Sequence, residues 1–402
     1  MNPHFVSVIY NMRPHQKVMI VSGEASGDMH GAKLAESLYA IDEHIELFGI
    51  GGERMRAAGV RIEFDARRLA VVGITEVFAK LPHILDGMRT AKRLVADRRP
   101  DLLILIDFPD FNLHLAAYAK KHAIRVLYYI SPTIWAWRQG RIKKIKRIVD
   151  HMAVILPFEE AFYRQHAIPV TFVGHPLMDQ YTLLPEQQAL FSDDESLTIS
   201  LLPGSRDSEV EKLLPVMLQA AELISQRMNV RFLLSQAPSV SPDLVHRLTN
   251  ELDFEVTILK ASTDQLLNLA TLVIVASGTA TLEAAIHLTP MVIVYRVSPL
   301  SYRVGKALIK VPHIGLVNLI AGKRVVPELI QHDASPEVIA RQALTLLADP
   351  DQLKRMKDDL AEVTRRLGTA GASDKVAKIA WGLLSGGKHE ADGAFAGKKG
   401  ST

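Results

Sequence analysis

The chain has 402 residues, with 47 Lys and Arg against 44 Asp and Glu, 48% hydrophobic residues and no cysteine. This length suits two or three domains with separate cores, and the near-average composition excludes disordered and collagen-like chains. The lack of cysteine excludes disulfide frameworks, thiolate zinc sites and cysteine nucleophiles, and a net charge of +3 is too small to indicate a nucleic-acid partner, so we predict a soluble intracellular enzyme.

In the first half of the chain, short and nearly continuous apolar runs alternate with helical stretches. The runs cover residues 17–22, 46–50, 102–106, 125–130, 152–156 and 170–173. Unbroken apolar runs are typical of parallel strands that are covered on both faces, so this pattern predicts a doubly wound α/β domain. Residues 1–17 mix polar and basic residues with apolar ones, which does not indicate a signal peptide.

The first strand, 17–22, runs into a turn with glycines at 23, 27 and 31 and acids at Glu24 and Asp28. The glycine spacing is not that of a dinucleotide-binding turn. Two carboxylates would repel a phosphate at the start of the following helix, so we expect sugar hydroxyl groups here instead. The alternative is that Ser26 or Asp28 only caps that helix.

The strand 102–106 ends directly in Asp107, and Asp110 follows three residues later. An acid after five apolar residues can be partly desolvated, which raises its pKa and makes it a stronger base for an alcohol. Asp110 is better explained as a cap for a helix over 111–121. Asp107 has no such structural explanation and is therefore the candidate general base.

Two stretches of the first half have the composition of lipid-binding segments. Residues 70–81 are apolar and have basic residues on both sides, at Arg67, Arg68, Arg89, Lys92 and Arg93. Residues 138–147 hold six basic residues and no acid, on a helix whose isoleucines at 142, 145 and 148 share one face. Core burial and an ordinary solvated helix face are the alternatives. Trp135 and Trp137 either stack on sugars or line the cleft wall.

Residues 181–196 are polar and indicate a linker, after which a second series of buried strands begins. These strands are predicted at 198–202, 231–235, 254–259, 272–276 and 291–295. The most apolar window, 271–295, is broken by glycine, polar residues and proline, which indicates strand, turn, helix and strand rather than a membrane span. The tail 385–402 has no apolar period and is predicted to be disordered.

Two strand-to-helix turns of the second half suit an anion. The first follows strand 198–202 and the second follows strand 272–276. Hydroxyl groups, glycine and arginine at helix starts favour a nucleotide diphosphate, and an acid one turn later could accept hydrogen bonds from ribose hydroxyls. The residues are Ser205 and Arg206 in the first turn, and Ser277, Gly278, Thr279 and Glu283 in the second.

Seven motifs together closely resemble the lipid-A-disaccharide synthase family. They are SGEASGD (22–28), IDFPDFN (106–112), SPTIWAWR (131–138), GHPLMD (174–179), LLPGSR (201–206), ASGTATLE (276–283) and VNLIAG (317–322). The resemblance implies an α/β protein of GT-B architecture, with two Rossmann-like doubly wound domains facing a central cleft. It implies an acceptor- and lipid-binding domain at 1–185, joined by a C-terminal helix at about 363–384, and a UDP-sugar donor domain at 186–362, followed by the tail 385–402.

The resemblance also implies transfer of 2,3-diacylglucosamine from UDP-2,3-diacylglucosamine to 2,3-diacylglucosamine 1-phosphate, with inversion and a β-1,6 bond, in lipid A biosynthesis of Gram-negative bacteria. Catalytic roles are implied for Asp107, Glu24 and Asp28. Substrate- and donor-binding roles are implied for Ser26, Ser205, Arg206, Ser277, Gly278, Thr279, Glu283 and Asn318. Val317 stands before Asn318 where the family often has proline.

No cofactor or metal is expected, because no Asp-x-Asp motif follows a strand and Arg206 could meet the diphosphate charge. The expected location is cytoplasmic, peripheral on the cytoplasmic face of the inner membrane, through contact with anionic lipid. A homodimer is compatible with the sequence, and no nucleic-acid partner is expected. The alternatives are a UDP-sugar epimerase of the same fold, which needs no acceptor, and a non-catalytic sugar- or lipid-binding module, which leaves Asp107 unexplained.

Overall fold

The computed structural model of the chain describes residues 15–69, 74–181, 197–250, 252–260, 262–298, 302–303, 305–306 and 311–386, with the backbone alone at 74–81. Several sequence-based expectations therefore lie outside the described residues. They concern the expected lack of a signal peptide, as far as it rests on residues 1–14, the side chains of the apolar stretch 70–81, the linker at 182–196 and the tail from 387 onward.

Parallel strands in the first half form one sheet. The strands are β1 (Lys17–Ser22), β2 (Glu46–Gly51), β3 (Arg61–Asp65), β4 (Leu102–Ile106), β5 (Arg125–Tyr129), β6 (His151–Val154) and β7 (Val170–Phe172). Within the described residues their order is β3-β2-β1-β4-β5-β6-β7, and every neighbouring pair is parallel. The strand order reverses between β1 and β4, and open α/β sheets bind ligands at such a point.

Helices cover both faces of this sheet. They are α1 (Ala25–Ile41), α2 (Glu53–Ala57), α3 (Ile74–Arg98), α4 (Pro109–Lys121), α5 (Ile142–Ile148), α6 (Pro157–Gln165) and α7 (Met178–Tyr181). One apolar core lies between the sheet and α3, α4, α5 and α6, and another lies under α1 and α2. The isoleucines at 142, 145 and 148 are all buried, as the pattern predicts for an amphipathic helix.

The second half repeats this architecture. Its strands are β8 (Thr198–Leu202), β9 (Arg231–Ser235), β10 (Val256–Leu259), β11 (Leu272–Ala276), β12 (Met291–Tyr295) and β13 (Glu328–Ile330). Its helices are α8 (Asp207–Ser225), α9 (Pro242–Thr249), α10 (Thr263–Leu269), α11 (Ala280–Ile286), α12 (Leu316–Ala321), α13 (Pro336–Leu347) and α14 (Pro350–Arg366). In the described part of the chain the order is β10-β9-β8-β11-β12-β13, so the reversal here lies between β8 and β11.

The last helix, α15 (Ala372–Leu384), packs against α1 of the first half. Its apolar face, including Val376 and Ala380, is buried in the core that lies under α1. Two polar contacts support this position: Ser37 Oγ donates to Asp374 Oδ1 at 2.8 Å, and the Gly371 N–H donates to Asp179 Oδ1 at 2.6 Å. The chain thus returns to the first sheet after completing the second, while the predicted boundaries at 185 and 362 remain predictions.

The two halves also contact each other at the carboxyl edge of the first sheet. Leu156 and Leu177, which follow β6 and β7, are buried in the core of the second half. At the end of α7, the Tyr181 hydroxyl donates to Asp264 Oδ1 at 2.5 Å. The strand ends of the first sheet therefore point toward the second half.

The doubly wound, two-sheet α/β fold is confirmed, and six strands have the predicted bounds: β1, β4, β8, β9, β11 and β12. Two strands are missing from the prediction. β3 is an edge strand that carries Arg61 and Glu63, and β13 has only three residues, so neither forms an apolar run. Residues 272–295 fold as β11, α11 and β12, and no described helix is long and apolar enough to cross a bilayer.

Candidate active site

The strand order brings two sequence motifs together at the reversal of the first sheet. Ser22 at the end of β1 pairs with Ile106 at the end of β4, so the turns that begin at Gly23 and Asp107 leave the sheet side by side. Helices α1 and α4 then follow opposite faces. Glu24 therefore lies close enough to Asp107 for its charge to affect the pKa of the Asp107 carboxyl.

The Asp107 carboxyl has a pKa that lies closer to neutral pH than that of an ordinary carboxyl. Burial first, and then the charge of Glu24, raise its pKa from 3.8 to about 6, while a hydrogen bond from the Phe108 N–H lowers it. A general base works best when its pKa lies near the operating pH. The candidate base predicted from the sequence thus has the expected environment.

The backbone at this base is unusual. Asp107 and Phe108 both have φ of 47°, in the left-handed region that only a few per cent of non-glycine residues adopt. Each such residue costs about 1–3 kcal/mol and persists where the surroundings hold it, which is often at functional sites. The neighbouring turn fits closely, because a Cβ at Gly23 would lie 2.4 Å from the Phe108 ring.

The other residues of the first turn have separate environments. Glu24 and Ser26 are exposed at the start of α1, and the side chain of Glu24 makes no capping hydrogen bond. Asp28 is buried instead, and its carboxylate accepts from the backbone N–H groups of Gly52, Arg54 and Met55 at 2.6, 3.0 and 3.1 Å. Asp28 thus caps α2. Its oxygens are occupied by the protein, unlike those of Glu24.

In the second half, the turns after β8 and β11 together line one cavity of about 400 Å³. Glu283 is partly buried, and burial followed by the charge of Asp264 raises the pKa of its carboxyl. Six residues that the sequence analysis singled out are brought together here: Ser205, Arg206, Ser277, Gly278, Thr279 and Glu283.

Glu209, which no sequence motif indicates as a site residue, also lines this cavity. Its Oε2 accepts from the Ser205 N–H at 3.2 Å, and its Oε1 is 3.4 Å from Nη1 of Arg206. The Glu209 carboxylate therefore interacts with two donors at the start of α8. Among the described residues, no group of three or more His, Asp or Glu side chains is placed to hold a metal ion.

Asn318 does not line this cavity. It is fully buried in α12, where Nδ2 donates to Val326 O and Glu328 Oε1 at 2.9 and 2.7 Å. Its Oδ1 accepts from the N–H groups of Val325 and Val326 at 2.7 and 3.1 Å. The side chain thus joins α12 to the segment before β13. Val317, in the place where proline is frequent, is buried in the core of the second half.

The tryptophan pair is divided between two environments. Trp135 is half-buried against the core of the second half, stacks edge-to-face on Phe158 at 4.7 Å and donates from Nε1 to Glu159 at 3.0 Å. Burial raises the pKa of Glu159 to about 7. Trp137 carries the Arg138 guanidinium 4.2 Å above its ring. Trp135 thus forms a wall between the halves.

Comparison with known proteins decides the family. The family described as "Lipid-A-disaccharide synthetase" matches residues 18–380. The lipid-A-disaccharide synthase of Geobacter sulfurreducens is 45% identical over 373 residues, which cover 92% of this chain and 97% of that protein. That of Syntrophus aciditrophicus is 46% identical over 379 residues, covering 91% and 97%. The chain belongs to the lipid-A-disaccharide synthase family. It is therefore a glycosyltransferase, and the resemblance carried by the seven motifs is confirmed.

Solved structures agree on the fold. A putative UDP-N-acetylglucosamine 2-epimerase from Listeria monocytogenes has a TM-score of 0.63 at 12% identity, covering 93% of this chain and 98% of the other. The calicheamicin glycosyltransferase CalG4 has a TM-score of 0.57 at 15% identity, covering 93% and 99%. The GT-B fold is shared by both activities, so the fold does not separate a transferase from an epimerase. The family does, and it disfavours the epimerase and the non-catalytic module.

Proposed function

We propose that the protein transfers 2,3-diacylglucosamine from UDP-2,3-diacylglucosamine to 2,3-diacylglucosamine 1-phosphate, with inversion, to give the β-1,6-linked disaccharide 1-phosphate and UDP. Residues 1–185 with helix α15 hold the acceptor, and residues 186–362 hold the donor. The observation that carries this proposal is the desolvated Asp107, beside Glu24, at the carboxyl edge of the sheet that points toward the second half.

In this mechanism Asp107 takes the proton of the acceptor 6-hydroxyl as that oxygen attacks the anomeric carbon of the donor. The bond to the UDP oxygen breaks on the opposite face, so a single displacement inverts the configuration. Glu24 and Ser26 are exposed at the same turn and would bind acceptor hydroxyl groups. Asp28 supports them indirectly by capping α2.

The leaving diphosphate would take the place that Glu209 now occupies, on Arg206 and the Ser205 N–H at the start of α8. Arginine and a helix start both stabilise phosphate charge. Ser277, Gly278 and Thr279 line the same cavity and would bind the nucleotide, and Glu283 would accept from the ribose hydroxyls. Asn318 would act only by holding α12 in position.

The base assignment is tested with Asp107→Ala. We expect turnover to fall by about 10²–10⁴-fold, the usual contribution of general-base catalysis, with UDP affinity unchanged. Asp110→Ala is the matched control, because Asp110 lies in the same motif but is exposed and paired with Arg141 at 2.5 Å. Full turnover in Asp107→Ala would reject the assignment. Formation of an epimerised UDP-sugar in the absence of the acylated acceptor would favour the epimerase.

We further propose peripheral contact of this protein with anionic lipid on the cytoplasmic face of the inner membrane. Helices α3 and α5 share one face of the first sheet. Leu85 on α3 is 47% exposed, and the side chains of Lys143, Lys146 and Arg147 are exposed on α5. Arg67 contributes less, since it pairs with Asp65 and Glu53. A homodimer is compatible with the sequence and stays untested.

Binding to phosphatidylglycerol vesicles tests the membrane proposal. Each basic residue near an anionic surface contributes about 1 kcal/mol, so reversing Lys143, Lys146 and Arg147 to Glu should weaken partitioning by at least about two orders of magnitude. The control reverses Lys354, Arg355 and Lys357, which are exposed on α14 in the second half. Equal losses in both triple variants would indicate a general charge effect and count against this surface.

A further inference from the structure

We propose that Tyr128 and Asn112 are positioning residues for glycosyl transfer, which aim the Asp107 carboxylate by holding the backbone carbonyl of Asp107. The proposal rests on the proposed function, in which Asp107 is the base. Neither side chain needs to touch substrate, because both act on the peptide that joins Asp107 to Phe108.

This peptide lies between two consecutive left-handed residues. Asp107 and Phe108 both have φ of 47°, an arrangement that side chains with a Cβ disfavour. In ordinary β or α backbone the peptide would turn, and the Asp107 side chain would take another direction. Contacts outside the turn must therefore hold this geometry.

The carbonyl oxygen of Asp107 provides those contacts. It accepts from Asn112 Nδ2 at 2.7 Å and from the Tyr128 hydroxyl at 2.7 Å, so both of its lone pairs are used. Asn112 Nδ2 also donates to Ile106 O at 3.2 Å. On the amide side, the Asp107 N–H donates to Tyr129 O at 3.0 Å. The peptide groups on both sides of the Asp107 Cα atom are therefore fixed.

Both donors lie inside the fold. Tyr128 on β5 and Asn112 on α4 are fully buried. Asn112 Oδ1 is buried without a hydrogen-bond partner among the described residues, while Nδ2 of the same amide serves two carbonyls. A buried polar atom without a hydrogen bond is unfavourable. The contribution of Asn112 at this position is therefore its two N–H donors and not its amide oxygen.

The same peptide also sets the position of Phe108. Its ring lies directly over Gly23, in space that a Cβ at residue 23 would occupy. Phe108 thereby fixes the distance between the turn after β4 and the turn that carries Glu24. The carbonyl contacts thus control the direction of the Asp107 carboxylate and its separation from Glu24.

Tyr128→Phe tests this proposal, because it removes one hydroxyl and keeps the ring. We expect kcat to fall about tenfold, the effect of one lost hydrogen bond on the geometry of the base, with KM for both substrates and UDP affinity unchanged. The acidic limb of the kcat–pH profile should move to lower pH, because a carboxyl that is free to turn toward water loses part of its desolvation.

Tyr163→Phe is the matched control. Tyr163 is also fully buried, but its hydroxyl bonds Ser131 Oγ at 2.7 Å rather than the Asp107 carbonyl. We expect both variants to lose similar thermal stability, while only Tyr128→Phe loses kcat and moves the acidic limb. Equal kcat losses, or an unchanged kcat and pH profile in Tyr128→Phe, would overturn the proposal.

Asp107→Asn separates this proposal from the function on which it rests. If Asp107→Asn is inactive and Tyr128→Phe behaves like wild type, Asp107 remains the base and the positioning role is rejected. If Asp107→Asn turns over at the full rate, the base assignment fails, and the positioning role fails with it. If turnover falls in Asp107→Asn and in Tyr128→Phe but not in Tyr163→Phe, both the base assignment and the positioning role are supported.

Discussion

The raised pKa of the Asp107 carboxyl lowers the stability of the fold at neutral pH. The folded state raises the pKa of this carboxyl from 3.8 to about 6, whereas in the unfolded chain it lies near its ordinary value. Between these two pH values the folded state binds more protons than the unfolded state, so stability falls as pH rises through this window. Above about pH 6 the whole penalty is present.

We expect Asp107→Asn to be more stable than the wild type at pH 7.5, by about 1–3 kcal/mol, since it removes this penalty. Asparagine also tolerates the left-handed backbone at this position. Urea unfolding at pH 7.5 and pH 3.5 measures the difference, which should vanish at the lower pH. Asp110→Asn, at an exposed position, should show no comparable gain. A gain of equal size at both pH values would contradict the linkage argument.

Single residues differ in how far their roles can be inferred from the sequence. The desolvation of Asp107 is predictable because the apolar strand β4 directly precedes it, while its role as the base stays a prediction. Asp28 was not, because its partners are the backbone N–H groups of α2, 24 or more residues later in the chain. Asn318 was assigned to donor binding through family resemblance, whereas its four hydrogen bonds lie within the protein.

At the scale of elements, the sequence predicts the turns that follow β1, β4, β8 and β11. It does not predict which of these turns lie side by side. Each turn follows a buried strand, which hydrophobic runs indicate well. The pairing of β1 with β4, and of β8 with β11, depends on the order of strands in each sheet, which no local pattern encodes. The edge strands β3 and β13 were missed because polar residues or short length hide them.

The contact between the two turns of the first sheet can be tested at Gly23. We expect Gly23→Ala to destabilise the protein by about 1–3 kcal/mol, because its Cβ would overlap the Phe108 ring at 2.4 Å. A shift of about 1 Å at the base should lower kcat by roughly a hundredfold. Gly140→Ala is the control, with nothing within 4 Å of its added Cβ. Wild-type kcat in Gly23→Ala would show that this close contact does not position the base.

At the scale of the whole molecule, the return of α15 to the first half creates a buried polar region. His30 on α1 and His175 after β7 are close enough that the charge of His30 lowers the pKa of His175. Burial, the first cause at both positions, lowers the pKa of each to about 4. Asp179, which holds the start of α15 through the Gly371 N–H, raises the pKa of His30 only in part.

This region should make the protein sensitive to acid. In the unfolded chain each histidine titrates near 6.5, so between pH 6.5 and 4 the unfolded state binds more protons and stability falls as pH falls. We expect each histidine to account for up to about 3 kcal/mol of this loss. Urea unfolding at pH 7.5 and pH 5.0 should show it in the wild type. The double variant His30→Gln, His175→Gln should lose less, whereas His246→Gln, at an exposed position on α9, should behave like wild type.

Hydrogen exchange shows which part of the protein loses amide protection first at acidic pH. Because α1 and α15 pack on each other beside these histidines, protonation should loosen their contact before the second sheet is affected. At pH 5.0 the amides of 372–384 should therefore lose more protection, after correction for the intrinsic rate, than those of β8 and β11, and the double variant should restore it. Uniform loss of protection over both halves would mean that acid unfolds the molecule as one unit and that this junction is not its weak point.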